Sequence, residues 1–261
     1  MAAATPEGLA HQLTEADAAI LDEATTPEGL VAAGRLQQVA YRRLGARPDW
    51  EEQVVAASPP ELAASIRANA AARRDLLSMT KQRKNVLPAW EVTDPAPAEE
   101  LRSFYERGER TFGVDWEYLA AINFIETGFG RIRGLSSAGA RGPMQFIPST
   151  WASYGRGDID APRDAIQSAA RYLAASGYQE DRSRALYRYN NHNAYVRAIT
   201  AYAEEIKAQP RRFLGYHQWR VYFLSDQGDV LLPTGYRSEA PVPVAEFLAR
   251  NPQLNPNLDP G

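Results

Sequence analysis

The chain has 261 residues, 44% hydrophobic and 23% charged, which is ordinary for a globular protein and enough for one large domain or two modest ones. Its net charge of −3 gives no bulk attraction for nucleic acid or an anionic membrane. Cysteine is absent, which excludes disulfides, thiol nucleophiles and cysteine-based zinc sites together and leaves the compartment open.

The first 85 residues read as helices with clear start signals. Thr26-Pro27-Glu28 supplies an N-cap, a proline in the first turn and an acid at the positive helix end. The helix it opens, over 29–44, carries Leu30, Leu36, Val39, Ala40 and Leu44 on a broad apolar stripe, and Gly45 reads as its stop. The pentamer Thr5-Pro6-Glu7-Gly8-Leu9 returns as Thr26-Pro27-Glu28-Gly29-Leu30; two copies are too few for a repeat architecture and read as one capping solution used twice. Ser58-Pro59-Pro60-Glu61 has capping-box spacing and predicts a long helix ending near Thr80. Pro88, Pro95 and Pro97 then make 86–98 an extended linker. Helices are predicted over 99–112, 115–126, 148–154, 162–176 and 193–208, with a Gly/Ser/Arg loop up to Gly142. The β-prone runs 219–224 and 230–232 flank Ser225-Asp226-Gln227-Gly228-Asp229, a hairpin signal with a longer loop. Residues 251–261 are Pro/Asn-rich and read as a frayed tail. The expected organisation is therefore a helical region over 1–85, a linker over 86–98, a catalytic domain over 99–210, a hairpin extension over 211–250 and the tail. No apolar run reaches the roughly 18 residues that span a bilayer. Residues 1–5 lack the basic and apolar regions of a secretory signal, so either export does not use that route or the leader has been removed.

Glu126 closes the predicted 115–126 helix. Its helical neighbours Asn123, Ile122 and Leu119 form a largely apolar face, so its carboxyl should be partly desolvated and its pKa raised. The negative end of the helix pushes the same way. A carboxyl still protonated near neutrality is what donates a proton to a glycosidic oxygen. On the helix alone, a surface glutamate near a fraying end is the plainer reading. The following run, 127–157, contains no Asp or Glu but has Arg131, Arg133, Arg141, Arg156, Ser136, Ser137, Gln145 and Ser149. Amides and hydroxyls suit a neutral sugar polymer. Most glycosidases need two carboxylates about 5–10 Å apart, so the local lack of a second is compatible with a one-carboxylate mechanism.

Three motifs in order carry a resemblance: Glu126-Thr127-Gly128-Phe129, then Gly139-Ala140-Arg141-Gly142-Pro143-Met144-Gln145-Phe146-Ile147-Pro148, then Tyr189-Asn190. They resemble the soluble lytic transglycosylases, whose fold is goose-lysozyme-like. The segment from Asp158-Ile159-Asp160-Ala161-Pro162 into Arg171-Tyr172-Leu173 looks like the membrane-bound B-type branch. Thr127 stands where the family usually has Ser, and of the Ala-Tyr-Asn-Ala-Gly motif only Tyr189-Asn190 is kept. The resemblance covers about 114–208. It implies an α+β, predominantly α, lysozyme-like catalytic domain that needs no cofactor or metal and acts on the alternating N-acetylglucosamine and N-acetylmuramic acid strands of peptidoglycan in the cell envelope or outside the cell. It also implies the roles: Glu126 as acid and then base, Tyr189 as a hydroxyl near Glu126 or the substrate N-acetyl group, and Ser136, Met144, Gln145 and Asn190 on the sugar cleft.

Other residues have plainer readings. His11, His192 and His217 lack ligand spacing. Asp158, Asp160 and Asp164 lack the 12-residue loop and terminal glutamate of a calcium site and read as a turn before a helix start. The basic run from Arg73-Arg74 to Lys81, Arg83 and Lys84 reads as a solvated helix face, and Trp151 and Tyr154 serve equally as sugar platforms or core. Two alternatives stay open: a muramidase using water, with Asp160 or Asp164 as second carboxylate, and a non-catalytic peptidoglycan-binding scaffold.

Overall fold

The computed structural model describes residues 1–80 and 82–254. Lys81 of the basic run and residues 255–261 of the expected tail lie outside the described residues; Pro252–Leu254 form a single 3₁₀ turn.

The two pentamers act as read. Thr5 opens α1 (Pro6–Leu21) and Thr26 opens α2 (Pro27–Ala46), each hydroxyl accepting the N–H three residues on at 3.1 Å. Then come α3 (Glu51–Ala56) and α4 (Ala63–Ser78). Ser58 does not cap α4 as its spacing predicts. Its hydroxyl donates back to the Val54 carbonyl at 2.7 Å, and a 3₁₀ turn over Pro60–Leu62 leads into the helix. Pro60 opens that turn after the extended Pro59 (ψ 138°), and the regular helix begins only at Ala63.

The 86–98 stretch, read as a linker, contains β1 (Val86–Leu87) and β2 (Glu91–Val92). β2 pairs antiparallel with β3 (Ile132–Arg133). The helices α5 (Ala98–Phe112), α6 (Trp116–Thr127), α7 (Pro148–Tyr154), α8 (Pro162–Ala175), α9 (Arg182–Asn190), α10 (Asn193–Ala208) and α11 (Arg212–His217) follow. The strands β4 (Val221–Ser225) and β5 (Gly228–Leu232) form a hairpin with only Asp226 and Gln227 between them. This is tighter than the expected loop, because Ser225 and Gly228, at the tip, already pair: the Ser225 hydroxyl donates to the Gly228 carbonyl at 2.7 Å. β6 (Val242–Pro243) pairs with β1, and α12 (Val244–Arg250) follows it. The chain is thus predominantly α with short antiparallel ladders, the α+β class that the resemblance implies.

One continuous apolar core runs from Leu9 and Leu13 of α1, through Tyr41, Leu44, Ile66 and Ala70, to Leu119 and Ile122 of α6, Ile199, Tyr202 and Ile206 of α10, and Phe213 and Tyr216 of α11. Helix α10 packs against both α4 and α6. A buried polar network fastens the same junction. Glu205 of α10 accepts from Ser65 of α4 and from Arg212 of α11 (2.7 Å), and Arg212 also reaches Asp17 of α1 at 3.2 Å. Buried ions hold only when paired in this way. A smaller core, with Leu87, Val92, Val230, Leu232, Val244 and Leu248, lies under the hairpin. Arg73 and Arg74 are not a solvated face: Arg73 pairs with Asp229 of β5 at 3.1 Å and Arg74 with Glu51 at 2.6 Å.

Candidate active site

Helix α6 is apolar on nearly every side, as a central helix must be, and Trp116 to Asn123 are all buried. It runs one residue past the predicted end and stops at three successive left-handed residues, Gly128 (φ 62°), Phe129 (φ 66°) and Gly130 (φ 84°). Glycine takes that backbone freely, whereas phenylalanine does not. Phe129 is held there by burial, with its ring stacked 5.3 Å from Phe124 and edge-on to Phe213 at 5.4 Å. Its N–H caps the Asn123 carbonyl at 3.1 Å.

Glu126 sits half-buried just before this stop. Burial pushes its pKa from 4.5 to about 7, opposed only in part by one hydrogen bond, in which the Tyr195 hydroxyl donates to Oε1 at 2.7 Å. No other charged side chain among the described residues shifts it. Tyr195 is 1% exposed, and its phenol, raised well above the ordinary range by burial and the nearby carboxylate, remains a donor.

Tyr189, the expected partner, is one ring further out. Its hydroxyl donates to the Met144 carbonyl at 2.7 Å, and its ring lies parallel to that of Tyr195 (5° between planes, centroids 6.4 Å apart). Burial first, and then the Glu126 carboxylate, raise the Tyr189 pKa well above the ordinary range. Sequence reading missed Tyr195. The available signal was the sharp corner Asn191-His192, with Asn191 at φ 48° and the His192 ring accepting the Ala194 N–H at 3.1 Å. That corner turns α9 into α10 and brings the first turn of α10 back beside Tyr189.

The 141–146 loop is fastened to the end of α6. The Pro143 carbonyl accepts from the Thr127 hydroxyl at 2.7 Å and from Asn123 Nδ2 at 2.8 Å, and Asn123 Oδ1 accepts from the Tyr105 hydroxyl at 2.7 Å. Thr127 therefore keeps the hydroxyl of the usual serine and buries an added methyl. Arg141 and Phe146 exchange both backbone hydrogen bonds at 2.9 Å, closing a loop with Gly142 (φ 77°) and Gln145 (φ 48°) in left-handed backbone. Gln145 is half-buried, and its Nε2 donates to the Gly142 carbonyl at 3.0 Å. The Met144 side chain is fully buried in the core and lines no surface, unlike the cleft residue expected; what it offers the site is its carbonyl. The half-buried Ser136 accepts the Ala138 and Ala140 N–H groups at 3.1 and 3.0 Å, and Asn190 is exposed at the end of α9. Trp151 packs edge-on to Phe146 at 5.3 Å, and Tyr154 lies 4.9 Å from Tyr172.

The acids considered as a second carboxylate are engaged elsewhere. Asp160 pairs with Arg141 Nε at 3.0 Å; Asp164 accepts from the Asp158 N–H at 3.0 Å and from Arg163 at 2.9 Å. The histidines are dispersed: His11 pairs with Glu15, His192 caps α10, and His217, whose pKa burial depresses to about 4, bonds the Ala96 carbonyl. Among the described residues no group of three or more His, Asp or Glu side chains is placed to hold a metal ion, and no helix is long and apolar enough to cross a membrane.

Residues 134–186 match the family described as Transglycosylase SLT domain. The match takes in the 141–146 loop, α7 and α8, and leaves Glu126, Tyr189 and Tyr195 outside it. Over 100 residues, 38% of the chain, the sequence is 31% identical to the membrane-bound lytic murein transglycosylase F of Thiobacillus denitrificans. That alignment spans 19% of the relative's length, so the chain covers about a fifth of the curated relative it matches. No solved structure matches the chain. The segment 134–186, which includes the loop fastened to the end of α6, is thus similar to the transglycosylase SLT domain.

Proposed function

We propose that the protein is a peptidoglycan lytic transglycosylase of the cell envelope, which cleaves the β-1,4 bond between N-acetylmuramic acid and N-acetylglucosamine with Glu126 as acid and then base. The observation that carries this reading is a lone carboxyl held at a pKa of about 7, with a tyrosine as its hydrogen-bond partner and no second carboxylate acting on it among the described residues. At neutral pH such a group is present in both protonation states, as a single residue filling both roles requires. Protonated Glu126 gives its proton to the glycosidic oxygen as the C1–O bond breaks. The muramoyl C6 hydroxyl attacks C1 and returns its proton to the Glu126 carboxylate, closing a 1,6-anhydro ring. The proton count is restored and no water is consumed. The cation-like transition state is supported by the substrate N-acetyl group and by fixed dipoles.

In this reading Tyr195 positions Glu126 and tunes its pKa. Tyr189 holds the 141–146 loop by the Met144 carbonyl and presents its ring to the substrate. Gln145, Ser136 and Asn190 line the sugar groove, and Met144 anchors the loop from within. A water-using muramidase is disfavoured because Asp160 and Asp164 are both tied into other hydrogen bonds and ion pairs.

The test is mass spectrometry of products from purified peptidoglycan, with Glu126→Gln alongside. Anhydro-muropeptides from the wild type that vanish in the variant are expected. Reducing-end products would replace the reading with hydrolysis, and wall binding without products would replace it with a scaffold.

A further inference from the structure

A cavity of about 420 Å³ lies between α5, α8 and the 155–157 turn. None of its walls belongs to the Glu126, Tyr195 and Tyr189 group. Four arginines line it, Arg107, Arg156, Arg163 and Arg171, against a single acidic residue, Asp164. Asp164 is already engaged by Arg163 at 2.9 Å and by the Asp158 N–H at 3.0 Å. Arg107, Arg156 and Arg171 are left with no acidic partner among the described residues.

Several arginines elsewhere are paired. Arg182 meets Asp115 at 2.9 Å, Arg212 meets Asp17 and Glu205, and Arg197 and Arg141 pair with Asp75 and Asp160. With 32 acidic residues to 29 basic ones, carboxylates were available. The cluster is also built. Arg171 is pinned by its bond to the Tyr154 carbonyl at 2.7 Å and lies over the Phe112 ring at 5.2 Å. The turn carrying Arg156 is tied to α8, with the Arg156 N–H donating to the Ser168 hydroxyl at 3.1 Å. Arg107 enters from α5, whose packing on α8 fixes its distance. Like charges held in a concave wall repel, and the Arg171 pKa is depressed by burial and then by Arg156. An anion in the cavity turns that repulsion into attraction.

We propose that this cavity binds a phosphoryl group together with the small sugar or polyol that carries it. Three uncompensated guanidinium groups exceed what one carboxylate needs and match a phosphoryl group, whose several oxygens accept forked N–H donors. The volume falls in the range of small-molecule sites, which leaves room beyond the phosphoryl group for its carrier against Phe112. The inference does not depend on the role of Glu126.

The test is titration calorimetry of the full chain at low ionic strength with inorganic phosphate, glycerol phosphate and glutarate. Thermal melts verify folding of Arg107→Gln, Arg156→Gln and a control, Arg110→Gln, which lies outside the cavity on the same helix. Saturable phosphate binding is expected, weakened about tenfold or more in each of the first two variants, unchanged in the control, and falling as salt is raised. Tighter binding of glycerol phosphate than of phosphate is expected, and equal affinity would overturn the carrier's part in the proposal. No saturable phosphate binding, equal weakening in Arg110→Gln, or glutarate binding as tightly as phosphate would each overturn the proposal.

Discussion

Replacing Tyr195 by Phe removes one hydroxyl and leaves the buried ring in place. That hydroxyl, 2.7 Å from Glu126 Oε1, opposes the burial that pushes the carboxyl pKa to about 7. A hydrogen bond to a charged group contributes about 1.5–3 kcal/mol, and about 1.4 kcal/mol corresponds to one pKa unit. The variant should therefore titrate about 1–2 units higher. Carbon-13 NMR of glutamate-labelled protein, with Glu126→Gln used to assign the resonance, reads the midpoint directly. The profile of kcat/KM against pH gives a second readout, because an acid must be protonated to act, so the high-pH limb should move up by the same amount. Tyr189→Phe is the control: its hydroxyl goes to the Met144 carbonyl, and its loss should leave the Glu126 midpoint nearly in place. A Tyr195→Phe midpoint that stays at about 7, or a Tyr189→Phe midpoint that moves as far, would refute the assignment.

The raised pKa of Glu126 also makes stability depend on pH. The folded state holds the proton more tightly than the unfolded chain, so stability is highest below the ordinary value of 4.5, falls as pH rises toward about 7, and carries the full penalty above it. Glu126→Gln should accordingly be more stable than wild type by about 2–3 kcal/mol at pH 8 and near neutral at pH 4 in urea unfolding; equal differences at both pH values would contradict the shift. Arg212→Met strands Glu205 and Asp17 in the α1–α10–α11 junction and should cost about 3–5 kcal/mol by chemical denaturation. Arg182→Met, which breaks a more exposed pair with Asp115, should cost about 1 kcal/mol or less. Gly142→Ala places a Cβ against the Ile159 carbonyl at a φ of 77°, so a lowered melting temperature and reduced turnover are expected together; turnover at the wild-type level would detach this loop from the site.

Local signals were legible wherever a short-range interaction decides the outcome. Thr5 and Thr26 cap their helices because the hydroxyl and the N–H it serves are three residues apart. The α7 and α10 limits follow from Pro148 and from the corner before Asn193. On its helix alone Glu126 reads as a surface acid; the acid-free run and the ordered motifs after it are what single it out. What the sequence hides is long-range. Arg73 reads as solvated until Asp229, 156 residues later, arrives beside it. Met144 reads as cleft or core alike, since a methionine fits either. Tyr195 and Tyr189 carry the same chemistry six residues apart, and only the angle between α9 and α10 decides which hydroxyl meets the carboxylate.

That angle is set well outside the segment that matches the family. Tyr195 stands on the first turn of α10, and the far end of the same helix is fixed by Glu205, which holds Ser65 of α4 and Arg212 of α11, itself bound to Asp17 of α1. Along its length α10 packs between α4 and α6. A 2.7 Å hydrogen bond tolerates little displacement before its effect on a pKa is lost. The helices of the first 80 residues therefore bear on the Glu126 carboxyl through α10: they share its core, they fix that helix, and α10 carries the hydroxyl that opposes the rise in the carboxyl's pKa.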